Sequence, residues 1–563
     1  VAVRFAMCFP DVYEIGMSHL GIQILYDMFN RRDDVYCERV YSPWMDLDPI
    51  MREQKIPLFA VESQDPIKKF DFLGITIQYE MCYTNILQVL ELSQIPLHAE
   101  DRTEEDPIVI GGGPCTYNPE PIAPFFDLFY MGEGEVVYFD LIDRYKEIKA
   151  RGGSRKEFLE QAAQIPGIYV PGFYDVTYKE DGTIEAMMPN NPHAPQTVSK
   201  QLVMDMSDTW YPEKPVVPYL RATQDRVVLE IMRGCIRGCR FCQAGMLYRP
   251  IRPRSLEFLK DHARKMLEST GYDEISLSSL SSSDYKELPE LVYWLIDEYR
   301  DKGVNISLPS LRIDAFALDV MSKVQDIRKS SLTFAPEAGS QRMRNVINKG
   351  LTEEVILKGA MDAFRGGWNR VKLYFMLGLP GEQEDDIAGI AELSDKIARE
   401  YYTLPKDQRN GKVNIVTSTS IFVPKPFTPF QWMAMDNQKT VEKKLQYIKK
   451  ALQKNRRIEV LVESPKEAYI QGVLARGDRR LGAVLAACAA DRGSKSFKAE
   501  MKAAGLDMDA MNYRERSFDE FLPWSHLDMG MDDGYLEMEW KRSVDEAYTP
   551  PCVQGCKRCG VCK

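Results

Sequence analysis

The chain predicts an α/β fold built on parallel sheets, and three observations carry that prediction. Short apolar runs alternate with helix-length stretches through the first ~145 residues. Six further strand-like runs follow from residue 226 onward, again separated by helix-length gaps. Glycines stand at the ends of the runs, where a strand must turn into a helix.

The elements follow in order. VAVRFAMCFP (1–10) reads as a strand, and HLGIQILYDMFN (19–30) as the amphipathic helix behind it. FDFLGITIQ (70–78) and DPIVIGGG (106–113) are the next strand-like runs. FFDLFYMGEGE (125–135) leads into the helix VVYFDLIDRYKEIKA (136–150). Residues 1–150 therefore predict a Rossmann-like domain, whose ligands sit beyond the carboxyl ends of the strands. Residues 151–225 are rich in proline, including MPNNPHAPQ (188–196), and read as a connector. RVVLEIMRG, DEISLSS, VNISLPSLRI, SSLTFAPEAG, RVKLYFMLGLPG and VNIVTSTSIFVP then form a second βα series. Six units fall short of the eight that close a full barrel, so 226–437 predicts a partial (β/α)6 barrel. Residues 438–547 read as α-rich, with a basic stretch KKLQYIKKALQKNRR (443–457), and 548–563 as a cysteine-rich tail.

Composition narrows the function classes. Hydrophobic residues make up 44% and charged residues 28% of 563, an ordinary globular balance. No run approaches the ~18 apolar residues of a membrane helix, so no membrane partner is expected. The net charge of −11 argues against a polyanion held by bulk charge. The basic stretch 443–457, with ARGDRRLG (475–482), offers a local surface for RNA phosphates, although such a helix more often presents a solvated face. Five of the twelve cysteines are scattered (Cys8, Cys37, Cys82, Cys115, Cys488) and seven fall in two tight sets. In a large chain that pattern points to metal or cluster ligands in a reducing, cytoplasmic compartment rather than to disulfides.

The first set is Cys235-x3-Cys239-x2-Cys242, directly after the first strand of the barrel series. Three thiolates on one tight loop can hold three corners of a [4Fe–4S] cluster and leave one iron open. By spacing alone, a zinc site completed from elsewhere is the alternative. The position at a strand's carboxyl end and the aromatic Phe241 before the third cysteine favour the cluster.

The segment EIMRGCIRGCRFCQAG (230–245), with the later strands in order, resembles the radical S-adenosylmethionine (SAM) superfamily over about 226–435. The resemblance implies that Cys235, Cys239 and Cys242 carry a cluster whose free iron binds SAM. It places Phe241 and the polar segment SLSSSDY (279–285), with Ser279, Ser281, Ser283 and Asp284, beside SAM. Arg312 would meet the SAM carboxylate, Glu337 its ribose, and the turn LGLPGE (377–382), with Gly378, its adenine. The implied chemistry is reductive cleavage of SAM to a 5′-deoxyadenosyl radical that abstracts hydrogen, fed by an external flavodoxin- or ferredoxin-like donor. No barrel strand carries a histidine; the five are His19, His98, His193, His262 and His526.

After the first strand comes PDVYEIGMSHLG (10–21), which resembles the Asp-x-His-x-x-Gly loop of cobalamin-binding Rossmann domains of the methionine-synthase type. Here the frame is Asp11, Tyr13 and Gly16, followed by Ser18, with tyrosine where that family has its cobalt ligand. Thr76, the triple glycine Gly111, Gly112 and Gly113, and Gly132, Gly134 and Glu135 match its other landmarks. A phenol with pKa ~10 is a poor neutral ligand, so cobalamin is expected with no histidine beneath cobalt. Together the two halves resemble the uncharacterised group that joins a B12-binding domain to a radical SAM domain.

The second set, Cys552-x3-Cys556-x2-Cys559-x2-Cys562, offers four thiolates for a second [4Fe–4S] cluster or for zinc. The function expected is methyl transfer from methylcobalamin to an unactivated carbon. Rearrangement, cyclisation or methylthiolation, of RNA or protein, is the alternative, and a cobalamin or redox sensor a remote third. No residue pattern names the substrate.

Overall fold

A computed structural model describes residues 1–207, 209–309, 312, 332–490, 497–553 and 555–562. The chain forms two compact units. Unit 1 joins residues 1–225 to 473–511 and 519–530; unit 2 joins 226–472 to 512–518 and 531–563.

Unit 1 is a doubly wound sheet of β1 (Val3–Phe9), β2 (Val35–Tyr41), β3 (Phe72–Thr76), β4 (Ile108–Gly112), β5 (Leu128–Tyr130) and β6 (Ile168–Tyr169). The order is β2-β1-β3-β4-β5-β6, parallel except for the antiparallel edge strand β6. Strand β1 is buried along nearly its whole length, as expected for a strand covered on both faces. Phe5 stacks on Phe72 (5.4 Å) and meets Phe29 edge-on (4.9 Å), which binds the sheet to the helix Leu20–Asn30. The chain order reverses between β1 and β3, so the crevice for a ligand lies beyond Phe9 and Thr76.

Expected to be a connector, residues 151–225 are instead part of unit 1. They supply β6, the hairpin of β7 (Tyr174–Tyr178) and β8 (Ile184–Pro189), and β9 (Val198–Ser199), which pairs with Leu527–Asp528. Nor do residues 438–547 stand as a domain of their own, because they are shared between the units. Glu120 explains one return of the chain. Its carboxylate is buried and accepts from Arg479 Nε (2.8 Å) and from the Tyr169 hydroxyl (2.5 Å). A buried charge needs a paired cation, and no local pattern announces one 359 residues away. Asn118 adds bonds to the carbonyls of Ala475 (3.0 Å) and Gly477 (2.9 Å).

Among the described residues, unit 2 carries seven parallel strands in two sheets, with a separate small antiparallel pair, β11 (Met232–Arg233) and β12 (Arg252–Pro253). β10 (Val227–Glu230), β13 (Glu274–Ser278) and β14 (Asn305–Ser307) form one sheet. β15 (Leu332–Glu337), β16 (Arg370–Leu377), β17 (Asn414–Ile421) and β18 (Ile458–Val462) form the other. Six strands are predicted; the seventh, β18, lies in the stretch expected to be helical. Its five residues alternate poorly, and only pairing with β17 reveals it. Residues 310, 311 and 313 of the third predicted run lie outside the described residues. The helices Glu353–Arg365, Glu384–Tyr401 and Gln438–Leu452 bury Ile356, Phe364, Ile390, Ile397, Val441 and Ile448 against β15–β18.

Candidate functional site

In unit 2 the cysteine loop leaves the carboxyl end of β10. Gly234 opens it at φ +80°, and a Cβ there would lie 2.5 Å from the Pro250 carbonyl oxygen, so only glycine fits. Cys235 Sγ accepts from the Arg237 amide (3.4 Å). Cys242 caps the short helix Gln243–Leu247 and its Sγ accepts from the Gly245 amide (3.3 Å). Backbone N–H groups aimed at sulfur favour thiolates, which are the ligand form. The loop's interior works against this until a cation arrives. Burial and the neighbouring Cys239 push the Cys242 thiol up to about 12, and burial raises Cys235.

Of the residues expected to meet SAM, several are joined to this loop by polar contacts. Arg237 makes a two-point bond to Asp284 (2.6 and 3.1 Å), which also accepts from Ser281 Oγ (2.6 Å). Ser279 Oγ bonds Ser282 Oγ (3.1 Å), shaping the same turn. Ser283 Oγ accepts from the Arg312 amide (2.9 Å), and the Arg312 guanidinium donates to the Lys349 carbonyl (3.3 Å). Lys349 Nζ in turn meets Glu337 Oε1 (3.3 Å). Glu337 adopts φ +67°, a conformation unusual outside glycine, where β15 loses register with β16. One polar chain thus runs from the loop along the carboxyl ends of β13 and β15. Gly378, at the end of β16, has φ +83° and donates its amide to Glu382 Oε2 (2.8 Å), which Lys444 holds at 2.5 Å. Phe241 is half-buried in the loop.

Arg237 and Lys349 were not anticipated. Arg237 sits between two ligand cysteines, where its charge could have drawn notice, but nothing local to Lys349 points to Glu337. Glu230, at the end of β10, is a third unforeseen group. Burial would raise its carboxyl, yet Arg233 and Arg254 bring it below the usual carboxylate range.

The three thiols share one loop, and Cys235 and Cys242 each feel the charge of Cys239. Among the described residues no three candidate ligands converge on one ion. A cubane needs no such point, since each thiolate meets its own iron. The donor set therefore fits a [4Fe–4S] cluster.

The switch point of unit 1 is arranged differently. The Tyr13 hydroxyl accepts from the Tyr219 amide (3.0 Å), and its ring packs edge-on against Tyr41. Ser18 Oγ donates to the Glu14 carbonyl (3.2 Å) and accepts from the Gln224 amide (2.8 Å). Asp11 accepts from the Val12 amide (2.7 Å), and Thr76 Oγ1 from Gln78 (2.7 Å). Four of the glycines make room for the protein itself. A Cβ would meet the Tyr41 ring at Gly16 (2.3 Å), Phe129 at Gly111 (2.5 Å), the Gln201 carbonyl oxygen at Gly132 (2.0 Å) and Leu25 at Gly134 (2.7 Å). Gly112 is open, with only the Tyr138 hydroxyl within 4 Å (3.9 Å), and Gly113 turns at φ +96° beside it. Glu135 follows, part-exposed, before the helix Tyr138–Ala150. His19 Nδ1 caps its helix by accepting from the Ile22 amide (3.2 Å), and the ring also bonds Gln78. Burial lowers its pKa to about 4, so it is neutral, and its Nδ1 is spent on the Ile22 amide. A corrin without a histidine ligand would fit this edge at the open backbone of Gly112.

The cysteine tail lies against the central loop. The Cys552 amide donates to the Ile236 carbonyl (2.7 Å), next to Cys235. Asn348 Nδ2 donates to the carbonyls of Gly238 and Thr549 (both 3.1 Å). Arg240, inside the loop, is buried against Glu539 (3.2 Å), the Ala547 carbonyl (2.7 Å) and Thr549 Oγ1 (3.3 Å). Of the two basic stretches, Arg479 holds Glu120 and Arg480 holds Asp478 (2.7 Å) in unit 1, and Lys444 holds Glu382 in unit 2. Among the described residues no helix is long and apolar enough to cross a membrane.

Residues 229–394, which include the three-cysteine loop, match the radical SAM superfamily, and residues 21–171 match the N-terminal region of radical SAM proteins. The chain is a radical SAM enzyme. It belongs to one family with the uncharacterized protein MJ0966 of Methanocaldococcus jannaschii, at 31% identity over 485 residues, 85% of this chain and 90% of that protein. The putative methylthiotransferase MJ0865 of the same organism is 24% identical over 172 residues, 28% of this chain and 37% of its own. Among solved structures, apo OxsB, a cobalamin-dependent S-adenosylmethionine radical enzyme, has a TM-score of 0.50 at 12% identity, covering 97% of this chain and 80% of its own. The methyltransferase TsrM from Kitasatospora setae, with cobalamin and a [4Fe–4S] cluster bound, has a TM-score of 0.49 at 12% identity over 78% and 75%. At that identity the likeness to OxsB speaks for the fold alone.

Proposed function

We propose that this radical SAM enzyme is cobalamin-dependent and transfers a methyl group from methylcobalamin to an unactivated carbon. The observation that carries the reading is the switch point of unit 1. There a 2-1-3-4-5 parallel sheet keeps the Asp11-x-Tyr13-x-x-Gly16 frame and leaves the backbone of Gly112 open. Neighbours that are cobalamin-dependent radical SAM enzymes, OxsB and TsrM, agree with it.

In this reading Cys235, Cys239 and Cys242 hold the cluster, and Ser281, Ser283, Asp284, Arg312, Glu337 and Gly378 receive SAM. Together these groups supply one-electron cleavage of SAM and hydrogen abstraction. The protein's part is to orient. Arg237 and Ser281 hold Asp284 in one rotamer, Lys349 holds Glu337, and Glu382 fixes the amide of Gly378. A flavodoxin- or ferredoxin-like protein in the cytoplasm delivers the electron.

The test is anaerobic incubation of cluster- and cobalamin-loaded enzyme with methyl-labelled SAM and reductant. Labelled methylcobalamin together with 5′-deoxyadenosine is the expected result. 5′-Deoxyadenosine with cobalamin that never gains the label would instead favour methylthiolation of RNA or protein. That second reading draws on the likeness to MJ0865 and on the second cysteine set. Without 5′-deoxyadenosine, neither reading stands.

A further inference from the structure

We propose that Cys552, Cys556, Cys559 and Cys562 bind a second iron–sulfur cluster, seated on the loop of the first, through which electrons enter the enzyme. The inference is independent of cobalamin.

Four thiols within eleven residues are unusual enough, but their setting decides what they do. Cys552 shares a hydrogen bond with Cys556 and lies within charge range of Cys559 and Cys562, and Cys562 lies within charge range of Cys556 and Cys559. The tail is built rather than loose. Cys559 is buried with Met246 and Tyr535, and its carbonyl accepts from the Asp532 amide (2.8 Å). Gly560 turns at φ +82° where the Asp532 carboxylate lies 2.4 Å from any Cβ, so a side chain is excluded. Arg249 reaches into this set, since its guanidinium bonds Tyr535 (2.8 Å) and the Cys559 thiol.

Two bonded paths join the tail to the first cysteine set. One is short: the Cys552 amide on the Ile236 carbonyl (2.7 Å), one residue from Cys235. The other runs from Cys559 through Arg249, whose Nε donates to the Gly245 carbonyl (3.1 Å), to the Gly245 amide on Cys242 Sγ (3.3 Å). A structural zinc needs neither path. The spacing of Cys552, Cys556 and Cys559 also repeats that of Cys235, Cys239 and Cys242. Cys552, Cys556 and Cys562 are only part-buried, which leaves this end reachable by a donor. The step is a bare electron transfer. A reduced flavodoxin- or ferredoxin-like donor loses one electron, the tail cluster gains it, and the same electron moves on to SAM cleavage with no atom transferred.

Full-length protein, reconstituted anaerobically with iron and sulfide, should bind about eight irons per chain. Cys235→Ala/Cys239→Ala/Cys242→Ala leaves the tail untouched and should retain about four, with a reduced-state EPR signal that SAM does not shift. Cys552→Ser/Cys556→Ser should keep about four irons whose signal SAM does shift. That variant should cleave SAM at the wild-type rate with dithionite, yet at least about tenfold more slowly with reduced flavodoxin. Zinc in place of iron in the triple variant, or no metal there, overturns the site. Equal cleavage rates with flavodoxin overturn the electron path. None of these readouts requires cobalamin, so their failure is separate from failure of the methyl-transfer reading.

Discussion

Two loops leave the first strand of their respective units, and they use their side chains in opposite ways. In unit 2, after β10, the residues of the cysteine loop and the strand ends around it bond to one another and hold polar groups in line. In unit 1, after β1, Tyr13 and Ser18 are spent on residues 219–224, and Gly16 on the Tyr41 ring. The lesson is that a motif frame can survive while its side chains are reassigned to packing. On the proposed reading, cofactor binding would then rest on the open backbone at Gly112 rather than on a ligand side chain.

Changes in the first loop should have the larger effects. Cys239→Ala should abolish 5′-deoxyadenosine formation, a loss of at least about a thousandfold, while corrinoid binding persists. Surviving SAM cleavage would dismantle the contrast. Gly234→Ala forces a side chain onto a backbone carbonyl at positive φ, and should cost about 2 kcal/mol or more of unit 2 stability in denaturant titrations. A stability equal to wild type would mean that the loop is not held as described. Asp284→Asn keeps the shape but weakens the Arg237 clamp, and should lower kcat/KM for SAM cleavage about tenfold. An unchanged value would show that the polar chain orients nothing.

Unit 1 should respond to acid instead. His19 and His526 are each lowered from 6.5 to about 4, chiefly by burial. Below 6.5 the unfolded chain takes up protons that the fold refuses. Their contribution is therefore fully present above pH 6.5 and is lost as pH falls toward 4. The Tm should drop across that window, and His526→Gln should flatten the fall; an unaltered slope would refute it. The smallest effect is expected for Tyr13→His, which restores the motif letter. Its side chain is directed to Tyr41 and Tyr219, so the absorption spectrum of bound cobalamin should stay as in wild type. A histidine-ligated spectrum would erase the difference between the two loops.

Much of this was legible along the chain because the signals are local. Strand periodicity, glycine at strand ends and cysteine spacing each depend on a few neighbouring residues, so the parallel α/β organisation and the Cys235–Cys242 loop could be read directly. The order of the polar segments 279–285, Arg312, Glu337 and 377–382 was legible through the strands that carry them. Tertiary structure alone decided the partners: Arg237 for Asp284, Lys349 for Glu337, Arg479 for Glu120, the tail for the loop, and β18 for β17. All but Lys349 and Glu337 join residues far apart in sequence, and burial of a charge or an edge strand selects whichever complement the fold brings near. No periodicity encodes that choice, because it is made only when both groups leave water together.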